Sequence, residues 1–238
     1  KIPPPDTIVF ILIGEIGALV VAYPAIKETR KQHPKSRICF ITAPAGLQTL
    51  ELMGFEKEDI FLLGTSSIKS LLKGIVNIRS HFKGKRVSAI VLEPFTRFST
   101  LLSAWIGASK RIGCYRFLNE GVYLGNILTH RLVYNPHLHM SQTYFALAKA
   151  LNEPDSAKPL LKEYIPSQIK NRLKINIPEK ERQTLMKRLQ SECPESPLKK
   201  IILLNANTSD IVPLRKWPLE NFVELSKRLL ENPEFTVV

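Results

Sequence analysis

Residues 8–34 constrain the fold of this chain more than any other stretch. Six apolar residues in succession, 8–13, suit a β-strand covered on both faces. Gly14 and Gly17 punctuate the turn that follows, and a helix is expected to open near Ala18 and run to a basic end at Lys27, Arg30 and Lys31. Cations in a last helical turn face the negative end of the helix dipole. A strand, a glycine turn and a helix form the first β-α unit of a parallel sheet, and the turn then lies at the sheet's carboxyl end, where open α/β folds bind ligands. Residues 7–26 approach the length of a membrane span. Glu15 stands in the middle of that run between Gly14 and Gly17, where a charge is costly in lipid, so the strand-turn-helix reading prevails.

The same alternation continues along the chain. Strands are expected at 37–42, 59–63, 87–92 and 110–115. Helices are expected near 46–53, 66–82 and 98–108, then, after a loop to about Asn135, from His137 or His139 to Leu151. In the segment 66–82, Ile68, Leu71, Leu72, Ile75, Val76 and Ile78 recur near helical spacing with lysines between them. Repeated β-α alternation implies a doubly wound parallel sheet with right-handed crossovers. Residues 153–178 change character, with Pro154, Pro159, Pro166 and Pro178 among many charges, and read as a connection between an N-terminal domain at 1–152 and a second domain at 179–238. The second domain is expected to hold a polar helix at 179–190, a buried strand at 200–204, a loop at 205–216, a helix at 218–230 and the start of a strand at 235–238. Such a piece cannot bury both faces of its own sheet, so the second domain is expected to be truncated.

A hydrophobic content of 44% over 238 residues supports a real core, and a net charge of +13 implies an anionic partner. Phosphates, nucleic acid and an anionic membrane face all qualify. The basic residues are dispersed and the aromatic residues fall mostly at apolar, core-like positions, which argues against nucleic acid. Membrane contact would be peripheral, through basic surface. Cys39, Cys114 and Cys193 are far apart and show no Cys-x-x-Cys spacing, so neither a disulfide framework nor a zinc site is indicated, and a reducing cytoplasm fits. His33, His81, His130 and His137 show no metal spacing either.

Two further stretches carry chemistry. Asn205, Asn207, Thr208 and Ser209, followed by Arg215 and Lys216, precede a helix start at Trp217-Pro218. Small polar side chains, free backbone N–H groups and a basic pair can hold phosphate oxygens; the plainer alternative is a helix cap with a solvated basic turn. The other is Glu93-Pro94-Phe95-Thr96-Arg97-Phe98-Ser99, then 109–113. There Arg97 either meets an anionic acceptor at a strand's carboxyl end or makes a surface ion pair. His139 precedes a helix and either lines a site or serves as a cap.

The segment Gly17-Ala18-Leu19-Val20-Val21-Ala22-Tyr23-Pro24-Ala25-Ile26 resembles the opening signature of glycosyltransferase family 9, the heptosyltransferases of the lipopolysaccharide inner core, whose usual form is Gly-Asp-x-x-x-x-x-Pro-Ala-Leu. The spacing from Gly17 to Pro24 is kept, but Ala18 stands where the family has the Asp proposed as catalytic base. The loop ending at Trp217-Pro218 is similar to the second signature, Lys-x-Trp-Pro, with Arg215 in the Lys position; Arg keeps the charge and adds a fork of donors. The segment 93–113 is similar to the family's central region.

The resemblance implies an α/β fold of the GT-B type, two Rossmann-like domains with parallel sheets, the second truncated here. It implies a bacterial, cytoplasmic enzyme, peripheral at the inner face of the cytoplasmic membrane, that transfers heptose with inversion from ADP-heptose to a lipopolysaccharide-core or related glycan acceptor. Its partners would be a nucleotide-sugar donor and an anionic glycolipid or glycan acceptor, with no cofactor, metal or nucleic acid. Gly17, Arg97, Ser99 and His139 would face the acceptor, and Asn205, Asn207, Thr208, Ser209, Arg215 and Lys216 the donor phosphates. Ala18 cannot accept a proton. Glu15, three residues earlier, is a substitute base or else a helix cap. Three explanations stand open: a substitution introduced to inactivate the protein, a natural member that uses Glu15, or a member that has lost transfer activity; the competing class is a noncatalytic nucleotide- or glycolipid-binding protein on the same scaffold.

Overall fold

Strand β1 (Thr7–Ile11) is buried at every position, as a strand between two parallel neighbours must be. The computed structural model describes residues 4–64, 66–117, 126–154, 165–166, 173–195, 198–206 and 216–238. Around β1 a six-stranded sheet is built in the order β3 (Ile60–Leu62), β2 (Arg37–Thr42), β1, β4 (Val87–Val91), β5 (Lys110–Phe117) and β6 (His130–Tyr134). Every pairing is parallel. The strand order reverses between β1 and β4, which makes the carboxyl ends of these two strands the topological switch point of the sheet.

Side chains alternate across β1, and each set meets a different helical layer. Ile8, Phe10 and Leu12 pack with Phe40 against α1 (Ile16–Gln32), α2 (Leu47–Leu52) and α5 (Met140–Ala150), through Leu19, Ile26, Leu50 and Leu147. The rings of Phe10 and Phe40 stack at 5.9 Å between centroids. Val9 and Ile11 pack with Cys39 and Val91 against α3 (Ile68–Phe82) and α4 (Arg97–Trp105), through Ile78, Phe82 and Leu102. Pro24 is buried inside α1, where its missing N–H leaves the Val20 carbonyl without a helical partner.

Two expectations need correction in this unit. Helix α1 opens at Ile16, before Ala18, because Glu15 already has the extended backbone of an N-cap (φ −85°, ψ 129°). The stretch read as a loop to Asn135 contains β6, an edge strand with the sequence His-Arg-Leu-Val-Tyr. It buries His130 and leaves Val133 exposed, so it lacks the continuous apolar run that marks the inner strands.

The chain divides into two compact units, Lys1–Ile175 and Asn176–Val238. The second carries α6 (Glu179–Glu192), β7 (Lys200–Ile202), α7 (Leu219–Leu230) and β8 (Phe235–Val237), with β7 and β8 paired in parallel. Strand β7 is not buried as expected: Ile201 is 41% exposed. A two-stranded sheet offers its strands one neighbour each and cannot enclose them. Among the described residues no helix is long and apolar enough to cross a membrane.

Candidate active site

The carboxyl ends of β1 and β4 open into a cleft of 530 Å³, lined by the turn Gly14–Ala18, by Glu93 to Thr96 after β4, and by Met140 and Tyr144 of α5. A cleft at the switch point follows from topology: the chains leaving β1 and β4 turn to opposite faces of the sheet and part from one another.

Glu93 fixes the shape of this cleft. Its Oε1 accepts the N–H of Ile13 at 3.0 Å and of Gly14 at 2.9 Å, and its Oε2 accepts the hydroxyl of Ser99. A carboxylate with three donors is a brace rather than a free base. A Cβ on residue 14 would lie 3.3 Å from Glu93 Oε1, a tight contact with the atom that holds the turn. At Gly17 the situation differs, since a Cβ would meet nothing within 4 Å. Gly17 is not demanded by packing; its lack of a side chain keeps the cleft floor open.

Glu15 is the N-cap of α1 by backbone geometry, yet its side chain makes no capping hydrogen bond. It is exposed and lines the cleft beside Ala18. Of the two roles open to Glu15 in the sequence, the cap is therefore not taken. Tyr144 also lines the cleft and is buried to 2% exposure. Burial first, then the Glu93 carboxylate, pushes its phenol well above the usual range, with Glu15 adding to the same direction. Tyr144 thus remains a neutral hydroxyl at any working pH.

Ser99, Arg97 and His139, which the resemblance expects at an acceptor, lie in or near the cleft wall. Ser99 is fully buried behind the cleft and spends its hydroxyl on Glu93. Arg97 is the first residue of α4, exposed, and follows Thr96 of the cleft wall. His139 caps α5: its Nδ1 accepts the Ser141 N–H at 3.2 Å, and its own N–H donates to Gln142 Oε1 at 3.1 Å. The next residue, Met140, lines the cleft. Gly17, Ala18 and Glu15 are thus gathered in the cleft wall, while Arg97 and His139 stand one residue away from it and Ser99 behind it. Sequence reading did not assign Glu93, Tyr144 or Met140. The acidic residue directly after the apolar run of β4 was the available signal for Glu93; Tyr144 gave none, because one aromatic on an apolar helix face reads as core.

In the second unit, Asn205 is exposed three residues beyond β7, and Lys216 is exposed just ahead of α7. Asn207, Thr208, Ser209 and Arg215 lie outside the described residues. Trp217 packs edge-to-face on Phe222 at 4.8 Å, and Pro218 is the N-cap of α7. The Trp-Pro pair therefore anchors the end of the polar loop to the helix. Among the described residues no cluster of three or more His, Cys, Asp or Glu side chains is placed to hold a metal. The three cysteines are free.

No protein-family profile matches the chain, and no curated protein does. Solved structures do. A glycosyl transferase of family 9 from Veillonella parvula matches with a TM-score of 0.69 and 17% identity, over 98% of this chain and 61% of that one. The ADP-heptose lps heptosyltransferase II of E. coli matches with a TM-score of 0.65 and 17% identity, over 97% of this chain and 63% of that one. The E. coli heptosyltransferase WaaC with ADP-2-deoxy-2-fluoro heptose matches with a TM-score of 0.61 and 13% identity, over 97% and 67%. At these identities the likeness is one of fold, and this chain spans 61% and 63% of the first two structures. The α/β architecture of Rossmann-like units with parallel sheets is that of GT-B glycosyltransferases.

Proposed function

We propose that this chain is the acceptor-side domain and part of the nucleotide-sugar domain of an inverting glycosyltransferase that uses Glu15 as its base. The observation that carries this reading is the exposed, uncapped Glu15 carboxylate beside Ala18 in the switch-point cleft. The donor is a nucleotide-sugar, ADP-heptose, and the acceptor a lipopolysaccharide-core or related anionic glycan.

In the reaction, Glu15 takes the proton of the acceptor hydroxyl as its oxygen attacks the anomeric carbon from the face opposite the diphosphate. The bond from that carbon to the leaving phosphate oxygen breaks, the configuration inverts, and the electron pair leaves on the diphosphate. Arg215 and Lys216, with Asn205, Asn207, Thr208 and Ser209, neutralise and hold the diphosphate. The Tyr144 hydroxyl and the open floor at Gly17 shape the acceptor pocket, and Glu93 with Ser99 holds the turn that carries Glu15.

Ala18 favours one other reading, a binding protein on the same scaffold without transfer. The two are separated by ADP release from ADP-heptose in the presence of a lipopolysaccharide-core acceptor, with a complete second domain in place. If Glu15 is the base, Glu15→Gln lowers turnover by about a hundredfold or more while Ala18→Asp changes it little. A large gain from Ala18→Asp with no effect of Glu15→Gln marks a disabled transferase. No release from any variant, with other nucleotide-sugars also silent, leaves the binding scaffold.

A further inference from the structure

Tyr144 combines a buried ring with a hydroxyl that the fold does not use. The residue belongs to the core cluster with Phe10, Leu19 and Leu147, yet it also lines the switch-point cleft. Among the described residues no hydrogen-bond partner is placed for its Oη. Buried polar groups are paired as a rule, because leaving one unpaired costs the free energy of its desolvation. An unpaired hydroxyl on a cleft wall therefore points to a ligand group that completes the pair. Burial first, then the Glu93 carboxylate and after it Glu15, push the phenol well above its ordinary range, so its oxygen lies within electrostatic reach of both carboxylates and keeps its proton to donate.

The charge of the cleft narrows what that ligand is. Among the described residues that line it, Glu15 and Glu93 are charged, and none is a lysine, arginine or histidine. Glu93 spends its oxygens on Ile13, Gly14 and Ser99, whereas Glu15 is exposed and uncapped. A carboxylate or phosphate in the cleft would meet a like charge with no cation in the wall to offset it. An ammonium group would pair with Glu15 and lower its proton affinity, which makes it a poor base. An uncharged polyol meets neither penalty. Leu12, Val21, Leu92 and Met140 make much of the remaining wall apolar. Phe95, packed edge-to-face on Tyr134 at 5.1 Å between centroids, also lines the cleft and is 54% exposed. A sugar ring matches this lining, since its C–H face packs on an apolar or aromatic wall while its edge carries hydroxyls.

We propose that the cleft takes the acceptor as an uncharged sugar ring, with Tyr144 donating a hydrogen bond to one of its oxygens and Phe95 covering its apolar face, and that any carboxylate or phosphate of the acceptor stays outside. Tyr144 is then a specificity-determining residue, and Glu15 excludes acidic rings besides serving as base. The basic residues that give the chain its net charge of +13 lie outside the cleft wall, so the anionic parts of a glycan are met elsewhere. That the ring is an acceptor rests on the transfer reading; that it is uncharged rests on the cleft alone.

The test is a ligand-observed NMR titration of the full chain. The neutral probes are methyl α-mannoside and a methyl heptoside; the charged ones are the same mannoside with a carboxylate, or with an amine, in place of its exocyclic hydroxyl. A neutral glycoside is expected to bind about tenfold more tightly than the carboxylate probe, the gap narrowing as salt rises. Tyr144→Phe should weaken the neutral glycoside about three- to tenfold. The same variant should melt no lower than the parent, since no hydrogen bond within the fold is lost; a structural role for the hydroxyl would lower the melt instead. Glu15→Gln should strengthen binding of the carboxylate probe and change that of the neutral ones little. Binding of a charged probe as tight as that of the neutral glycosides overturns the proposal, as does undiminished binding by Tyr144→Phe or the absence of binding by any glycoside. Each of these leaves the transfer reading to be decided by ADP release. Neutral glycoside bound through Tyr144, with no ADP released by the complete protein, keeps the ring site and removes the transfer reading.

Discussion

The Glu93 carboxylate holds the main chain of Gly14, its Oε1 accepting the Gly14 N–H at 2.9 Å across 79 residues of sequence. The contact ties the end of β4 to the turn after β1, so one side chain sets the position of the whole cleft wall from Gly14 to Ala18. Glu93→Ala leaves the N–H groups of Ile13 and Gly14 and the Ser99 hydroxyl without this partner. A loss of about 1–3 kcal/mol is expected in urea denaturation, and Glu93→Gln, which keeps one acceptor oxygen, should lose less.

Gly14 and Gly17 should respond differently to alanine. A methyl at position 14 presses on Glu93 Oε1, and a methyl at position 17 meets nothing within 4 Å. Gly14→Ala is expected to destabilise by about 1 kcal/mol or more. Gly17→Ala, in the first turn of α1, should hold or raise stability by up to about 1 kcal/mol. It should nevertheless weaken whatever occupies the cleft, because the methyl projects into it. Thermal melts paired with calorimetric binding of the proposed acceptor glycan separate the two effects.

His139 closes a reciprocal cap with Ser141 and Gln142. His139→Ala should cost about 1 kcal/mol, while His139→Asn restores the cap and comes within about 0.5 kcal/mol of the parent in denaturant melts. With stability matched in the Asn variant, a rise in KM for the acceptor alone assigns the ring to the acceptor; an unchanged KM leaves it a cap.

Stability should fall in mild alkali. Burial, with Asp59 adding to it, pushes the Cys39 thiol up to about 12, and burial alone pushes Cys114 up to about 12, against an ordinary value of 9.0. Above pH 9 the unfolded chain releases these protons while the native chain keeps them, so stability present below pH 9 is lost as pH rises. The two groups together account for about 3 kcal/mol by pH 10. Denaturation midpoints at pH 8, 9 and 10 check this, and Cys39→Ala with Cys114→Ala should flatten the decline. In the native state at pH 8, a thiol reagent should modify the half-buried Cys193 and spare the other two.

Much of the first unit was legible in the sequence. The apolar run of β1 and the helical spacing of Ile68, Leu71, Leu72, Ile75, Val76 and Ile78 on α3 carry their secondary structure in local pattern. The strand β6 did not, because this edge strand buries only His130 of its five residues and so lacks the continuous apolar run of the inner strands. The candidate site was half legible. Glu15, Gly17 and Ala18 sit together in sequence and stay together in space. Glu93 and Tyr144 join them only because parallel pairing brings β4 beside β1 and α5 packs over α1's face of the sheet.

The sequence alone determined the alternation of strands and helices, the turn that carries Glu15 and the Trp217-Pro218 entry to α7, since each rests on interactions within a few residues. The tertiary structure decided which strands are neighbours, that Glu93 braces Gly14 rather than standing free, and that Ile68, Leu72 and Val76 face outward while Leu71 and Ile75 face the sheet. Those outcomes depend on contacts between residues far apart in the chain, and helical spacing does not say which of two adjacent apolar rows the core will take.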